Sequence, residues 1–421
     1  MSEWKEYKLG DICQIFGRIG FRGYTTEDLT LNQSDGAISL SPTNIVQGEL
    51  DLSKPTFIKW EKYNESPEIM IKSNDVVLVK TGSSIGRTTI IKRLVHPMTL
   101  NPQMVVLKDI IINPFYLSYY IKTNLFQGLL KSITVGSAIP TLSQKNLAKL
   151  PIRVPKEETQ NDIANFLRSL DDKIENNRKI NENLEQQAQA LFKSWFIDFV
   201  PFKDRNFIDS ELGPIPEELH LNYIADIPHI LENGRRPKGG VGLITSGIPS
   251  IGAENIKGLG YYDFSKTKYI PEEFASTMKK GKVNGYELLI YKDGGKPGYF
   301  IPNFSIFGEG FPYDEMFINE HVFKLDLGNR GYNAFAYFYF QTEYVMNFLN
   351  AQGGKAAIPG INQKDIEAIP MYTLDNEYVK VFCDKAETLI KKILFNCKEN
   401  KALAALRDTL LPKLMSGEIE V

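Results

Sequence analysis

From Ile163 onward, apolar side chains recur at alternating steps of four and three. The series is Ile163, Leu167, Leu170, Ile174, Leu184, Ala188, Leu191 and Trp195, with Asn177 and Asn181 at the two positions between. That is the a/d spacing of a helix burying one seam against another helix. The pattern returns as Phe382, Ala386, Leu389, Ile393, Asn396, Asn400, Leu403, Arg407, Leu410 and Leu414. Pro155 with Glu157 and Glu158 suits a first helical turn; Pro201 should stop the first helix, and the second should end by Pro412 or at Gly417. Two asparagines interrupt each seam at matching places. Antiparallel pairing sets Asn177 level with Asn400 and Asn181 with Asn396, and a buried Asn layer costs stability but fixes register and orientation. The alternative is that these asparagines face solvent. At 1.5 Å per residue, a helix of about 40 residues is ~60 Å long.

The matching seams belong to a longer repeat. AIPTLSQKNLAKLPI at 138–152 recurs as AIPGINQKDIEAIPM at 357–371, a shift of 219 positions that continues through Leu170 and Leu389, Asn181 and Asn400, and Leu184 and Leu403. Upstream the likeness is weaker, with shifts of 211 to 215. There KLGDI near Lys8 faces YIADI near Tyr223, Asn44-Ile45 faces Asn255-Ile256, and 77–86 faces 289–298. Each copy is therefore a globular portion followed by a helical one. The globular portions carry short β-rich runs such as DVVLVK (75–80), TTIIK (88–92), QMVVLK (103–108) and ELLIY (287–291), each broken by Gly, Pro or Asn. Each also has one amphipathic helical stretch, 115–130 and 335–349. The fold class is α+β: two globular domains joined by two long helices pairing as an antiparallel coiled coil, with a pseudo-two-fold internal repeat.

A length of 421 residues corresponds to about three average domains. Lys plus Arg is 49 and Asp plus Glu 51, which argues against a histone-like, uniformly basic binder but leaves room for a local basic cleft. Three scattered cysteines (Cys13, Cys383, Cys397) and four scattered histidines give neither a disulfide framework nor a zinc site, and no apolar run is long enough to span a membrane. A reducing, cytoplasmic location is expected. Between Lys80 and Lys108 every charged residue is basic, and 233–240 and 292–296 form basic, Gly-rich loops in the second copy. Such loops bring cations and backbone N–H groups close to phosphates, while Ser, Thr, Asn and Gln beside them can read base edges. The plainer reading is a set of solvated turns. The candidate DNA contacts are Lys80, Thr81, Ser83, Ser84 and Arg87 in the first copy, and Arg235, Arg236, Lys238, Lys292, Lys296 and Tyr299 in the second. Asn44 and Asn255 are weaker candidates, since an Asn after a strand more often makes a turn.

No catalytic constellation emerges. Gly82-Ser-Ser-Ile-Gly-Arg-Thr has the wrong spacing for a phosphate-binding loop, with Arg in place of its Lys. Asn113-Pro-Phe-Tyr is similar to the Asn-Pro-Pro-Tyr/Phe motif of adenine-N6 methyltransferases, but lacks the second proline and an accompanying S-adenosylmethionine turn. It suits a helix start better. No metal site is expected.

The arrangement resembles the specificity subunits of type I restriction–modification systems, over the whole chain. Leu191-Phe-Lys-Ser-Trp-Phe-Ile-Asp-Phe199 resembles the family's end of the central helix, and Gly213-Pro-Ile-Pro-Glu217 the approach to a second domain. Leu410-Leu-Pro-Lys-Leu-Met-Ser-Gly-Glu-Ile419 is similar to its C-terminal close, and Trp4 with Leu9-Gly-Asp-Ile12 to its opening. The second copy departs there, with Leu219 for the tryptophan and Ala225 for the glycine, which leaves its opening strand open. The resemblance implies two target-recognition domains, 1–152 and 201–371, and two helical spacers, 153–200 and 372–421. It implies a non-catalytic subunit reading both halves of a split double-stranded DNA target, with the helices setting the spacer. Half-sites one helical turn apart, about 34 Å, lie within reach of such a helix pair. Two methyltransferase (modification) subunits and restriction/translocase subunits would be its partners. This chain would carry no cofactor of its own; S-adenosylmethionine, ATP and Mg²⁺ would sit on those partners. The competing readings are a stand-alone DNA adenine methyltransferase or nuclease acting at split sites, and a purely structural scaffold.

Overall fold

The computed structural model describes residues 4–18, 20, 23–46, 48–136, 139–294, 299–354 and 359–421. The chain forms two compact units: Met1–Asp172 with Ala404–Val421, and Lys173–Leu403. Two helices of 40 residues, α1 (Glu157–Phe196) and α2 (Glu377–Ser416), each contribute to both units.

In the first unit, Lys5–Lys8 pairs antiparallel with Pro151–Val154 and leads into the helical turn Leu9–Ile12. The main sheet is antiparallel, in the order Gln14–Phe16, Met104–Lys108, Val76–Val79, Thr88–Ile90. A second sheet runs Met98–Leu100, Gly36–Leu40, Phe57–Lys59, Leu29–Thr30, its first pair parallel. The unbroken apolar run at 76–79 reflects burial on both faces of the strand. Val76 and Leu78 pack with Tyr116, Leu117 and Ile121, whereas Val77 and Val79 pack with Ile38, Leu40 and Met98.

The second unit repeats this plan. Its main sheet is ordered Ile230–Asn233, Val322–Asp326, Leu288–Tyr291, Phe304–Ile306, with a smaller sheet of Lys268–Ile270, Ile248–Ile251 and Phe317–Ile318. Leu288 and Ile290 face one core and Leu289 the other. The opening strand survives the loss of the tryptophan and glycine: Leu221–Tyr223 pairs with Pro370–Tyr372, and Tyr223 meets Pro370 as Lys8 meets Pro151.

Two expectations need correction. Each stretch read as one amphipathic helix is two: Pro114–Lys122 and Asn124–Ser132, then Arg330–Phe340 and Glu343–Gly353. Thr123 and Thr342 cause the break. Both are extended, with hydroxyls that accept the N–H of Phe126 and Val345, so each starts a new helix where its backbone leaves the old one. Secondly, α1 ends at Phe196, before Pro201 could stop it. The Asp198 N–H turns back to the Lys193 carbonyl at 2.8 Å, and Phe199 is left-handed at φ 51°. α2 runs through Pro412 and ends ahead of Gly417, whose φ is 77°.

The asparagine layer forms within the second unit. Asn177 Nδ2 donates to Asn400 Oδ1 at 2.8 Å and Asn396 Nδ2 to Asn181 Oδ1 at 2.8 Å. Falling numbers on α2 against rising ones on α1 make these segments antiparallel. Asn177 and Asn396 are buried and Asn181 and Asn400 half-buried, so none of the four projects freely into solvent. Of the expected seam residues, Leu170, Ile174 and Ile393 are buried and Leu184, Leu389 and Leu403 half-buried. α2 has a second buried stripe as well, Cys383, Ile390 and Leu394, in the core of its unit.

Candidate functional site

In each unit a lysine ends the central strand of the main sheet and is clamped on both sides by backbone bonds. The Lys80 N–H donates to the Gln103 carbonyl at 2.8 Å, and the Lys80 carbonyl accepts the Leu142 N–H at 2.8 Å. The Lys292 N–H donates to the His321 carbonyl at 3.1 Å, and the Lys292 carbonyl accepts the Ile361 N–H at 2.7 Å. Two residues on, the Gly82 N–H reaches the Pro140 carbonyl at 3.0 Å, and the Gly294 N–H reaches the Pro359 carbonyl at 2.9 Å. Both glycines hold positive φ, 100° and 137°, which L side chains rarely adopt. The close repeat at 138–152 and 357–371 thus includes the strip that anchors each glycine loop.

The other side of each clamp is an Asn turn. The Gln103 N–H donates to Asn101 Oδ1 at 2.9 Å, and the Asn101 N–H to the Leu40 carbonyl at 2.8 Å. Likewise the His321 N–H donates to Asn319 Oδ1 at 2.9 Å, and the Asn319 N–H to the Ile251 carbonyl at 2.9 Å. One backbone frame is built twice. Reading for charge alone misses Asn101, Gln103, Asn319 and His321. The signal that finds them is Asn-x-Gln and Asn-x-His, 218 positions apart, each just before a strand.

The candidate residues distribute unevenly around these frames. Lys80, Thr81, Ser83, Ser84 and Arg87 share the hairpin loop between Val76–Val79 and Thr88–Ile90, with Ser83 and Arg87 exposed. Lys80 is half-buried, and burial lowers its pKa; among the described residues no carboxylate lies within ion-pair distance of it or of Arg87. Lys292 lies over the Phe323 ring, 5.1 Å from its centroid. Arg236 faces Glu320 at 2.6 Å, and Glu320 faces His321 Nε2 at 3.3 Å. His321 Nδ1 lies 2.7 Å from Asp293 Oδ1. Arg235 donates to the Thr277 hydroxyl at 2.8 Å and lies over the Phe274 ring; Lys238 and Tyr299 are exposed. Lys296 lies outside the described residues.

Two other basic residues of the 80–108 run are occupied elsewhere. Lys92 faces Glu49 and Asp172, and Lys108 is buried beside Asp75. Asn44 and Asn255 are buried turn residues, accepting the N–H of Ser41 and Gly252 through Oδ1. Asn113 caps the helix Pro114–Lys122, accepting the N–H of Phe115 and Tyr116. The Gly82–Arg87 stretch is a hairpin turn closed by the Gly86 N–H on the Val79 carbonyl at 2.9 Å. Among the described residues, no group of three or more His, Cys, Asp or Glu could hold a metal ion, and no helix is long and apolar enough to cross a membrane.

Known proteins resemble this chain along its whole length. The family model for the type I restriction modification DNA specificity domain matches residues 1–186. The type I restriction enzyme MjaIX specificity subunit of Methanocaldococcus jannaschii is 28% identical over 430 residues, covering 100% of this chain and 94% of that protein. The HindI specificity subunit of Haemophilus influenzae is 24% identical, with 100% of both chains covered. Among solved structures, the S subunit of a type I restriction–modification system from M. genitalium has the same fold, with a TM-score of 0.56, 16% identity, and coverage of 98% of this chain and 96% of that one. Residues 1–186 thus match the type I restriction modification DNA specificity domain, and the whole chain, with its duplicated unit and two long helices, is similar to named type I restriction enzyme specificity subunits.

Proposed function

We propose that this chain is the DNA sequence-recognition subunit of a type I restriction–modification complex and is itself non-catalytic. Each globular unit reads one half of a bipartite double-stranded target, and α1 with α2 sets the unread spacer. The observation that carries this reading is the duplicated frame: one lysine, one glycine loop and one Asn turn at the same strand end in both units. Lysines and arginines there grip phosphate, and the neutral polar side chains between them face base edges. The near-zero net charge is compatible with this, because two methyltransferase subunits and restriction/translocase subunits share the phosphate contacts. S-adenosylmethionine, ATP and Mg²⁺ are held by those partners, and the complex works in the cytoplasm, where its DNA is.

Methylome sequencing of cells carrying this chain and its cognate methyltransferase tests the reading. Exchanging residues 1–152 for another recognition domain changes one half-site and leaves the other. Lengthening α1 by one turn near Asn181 widens the spacer with both half-sites intact. Altered half-sites after the insertion would refute the ruler role. Methyl transfer by the purified chain alone would refute the non-catalytic assignment.

A further inference from the structure

The two frames agree in backbone and differ in side chain beside the Asn turn and the strand-end lysine. Gln103 occupies the position of His321, Thr81 that of Asp293, and Pro102 that of Glu320. Everything that shapes the frame is retained: the strand-end lysine, the glycine two residues on, the asparagine of the turn, and the proline that accepts the glycine N–H. A position whose backbone is fixed twice while its side chain differs has the property required of a reader of two different half-sites.

The chemistry at that position suits base edges. Gln103 is exposed, its Oε1 accepting from Asn101 Nδ2 at 3.3 Å, and its amide N–H₂ makes no hydrogen bond among the described residues. An amide presents a donor and an acceptor side by side, which matches the N6 and N7 edge of adenine in the major groove. In the second unit His321 is held from both sides, Nδ1 at 2.7 Å from Asp293 and Nε2 at 3.3 Å from Glu320. The 2.7 Å contact with Asp293 orients the ring, and Nε2, whose contact with Glu320 is longer, is the ring atom that would exchange that partner for a base edge. Both positions lie beside the lysine proposed to hold phosphate.

We propose that Gln103 and His321 are equivalent specificity-determining residues, each reading one base pair in its own half-site, with Asp293 a positioning residue for the imidazole. This rests on the proposal that each unit reads a half-site.

The test uses the assembled complex with its methyltransferase subunits, in cells and on a randomised oligonucleotide pool. Gln103→Ala should relax one base pair in one half-site, with discrimination there falling about 5- to 150-fold, and His321→Ala one base pair in the other. Asp293→Asn should weaken discrimination at the His321 position alone. Should either alanine variant abolish methylation, Gln103→Asn and His321→Gln retain polarity, and the pool still reports their base preference. Unchanged preference at both positions, or uniform loss of binding to all sequences, overturns the assignment. The exchange of residues 1–152 separates the two failures. If that exchange moves a half-site while the point variants move none, only this inference falls; if it moves nothing, the half-site reading falls as well.

Discussion

In the first unit Asp171 is 6% exposed and its two oxygens accept from Tyr119 Oη at 2.6 Å and Arg407 Nη1 at 2.6 Å. Burial and Asp171 together push the Tyr119 hydroxyl well above its ordinary range, while Asp171 and Asp408 overcome burial and hold the Arg407 guanidinium above its own. Asp171→Ala removes the anion and strands both partners. Breaking a fully buried pair costs about 3–5 kcal/mol. The Arg407 side chain is 24% exposed and keeps Asp408 at 2.7 Å, so the figure is discounted to roughly 2–4 kcal/mol. For a unit of this size that is a fall of about 4–16 °C in Tm, read by calorimetry. The repeat supplies the compensating experiment. The positions 219 residues from Tyr119 and Asp171 are Phe338 and Ile390, and Ala188 stands 219 residues before Arg407; all three are buried in the second unit's core. The triple variant Tyr119→Phe, Asp171→Ile, Arg407→Ala should therefore recover most of the loss, because exchanging a buried ion pair for packed apolar groups is often neutral or better. A triple variant no more stable than Asp171→Ala would refute the argument, as would an Asp171→Ala change within about 0.5 kcal/mol of zero, the range of an ordinary surface substitution.

Lys80 should trade stability for binding. Burial lowers its pKa in the folded state, so the unfolded chain binds the proton more tightly and the charged form costs stability at neutral pH. Lys80→Met should raise Tm at pH 7, and the gain should shrink as pH rises through the lowered pKa toward the ordinary lysine range. The same variant should flatten the salt dependence of DNA binding by the assembled complex, by about 0.9 in the log–log slope. Gly82→Ala should cost about 1–2 kcal/mol from its left-handed φ alone, since nothing but Gln103 Nε2 at 3.9 Å lies near the added carbon. Gly294→Ala should cost more, because its added carbon would overlap the Tyr291 hydroxyl and ring; equal unfolding midpoints for the two variants would contradict this. Burial pushes Cys13, Cys383 and Cys397 up to about 12, so in the native protein all three should react slowly with a disulfide reagent at pH 8 and quickly in denaturant.

The long helices and the duplication were legible in the sequence because both are periodic. A seam at steps of three and four and a block returning after 219 positions are local signals that need no knowledge of folding. Strands at 76–79, 88–90, 104–108 and 288–291 were equally plain, being short β-branched or apolar runs between turn residues. Where two local preferences compete, the sequence was ambiguous: Thr123 and Thr342 read as interior helix residues until their hydroxyls are seen capping the next helix. Basic loops also showed, but not their standing. Arg87, Lys92, Arg236 and Lys108 look alike as letters, yet the fold leaves Arg87 exposed and turns the other three toward carboxylates. Gln103 and His321 carried only a faint signal, the matching Asn-x-Gln and Asn-x-His spacing. They become a matched pair only when backbone bonds to Lys80 and Lys292, from residues 23 and 29 positions away, set them at the same point of the same frame. Periodicity is a property of neighbours along the chain and can be read there. The meeting of a strand end, a glycine loop and an Asn turn is a property of long-range hydrogen bonds, and only the tertiary structure decides it.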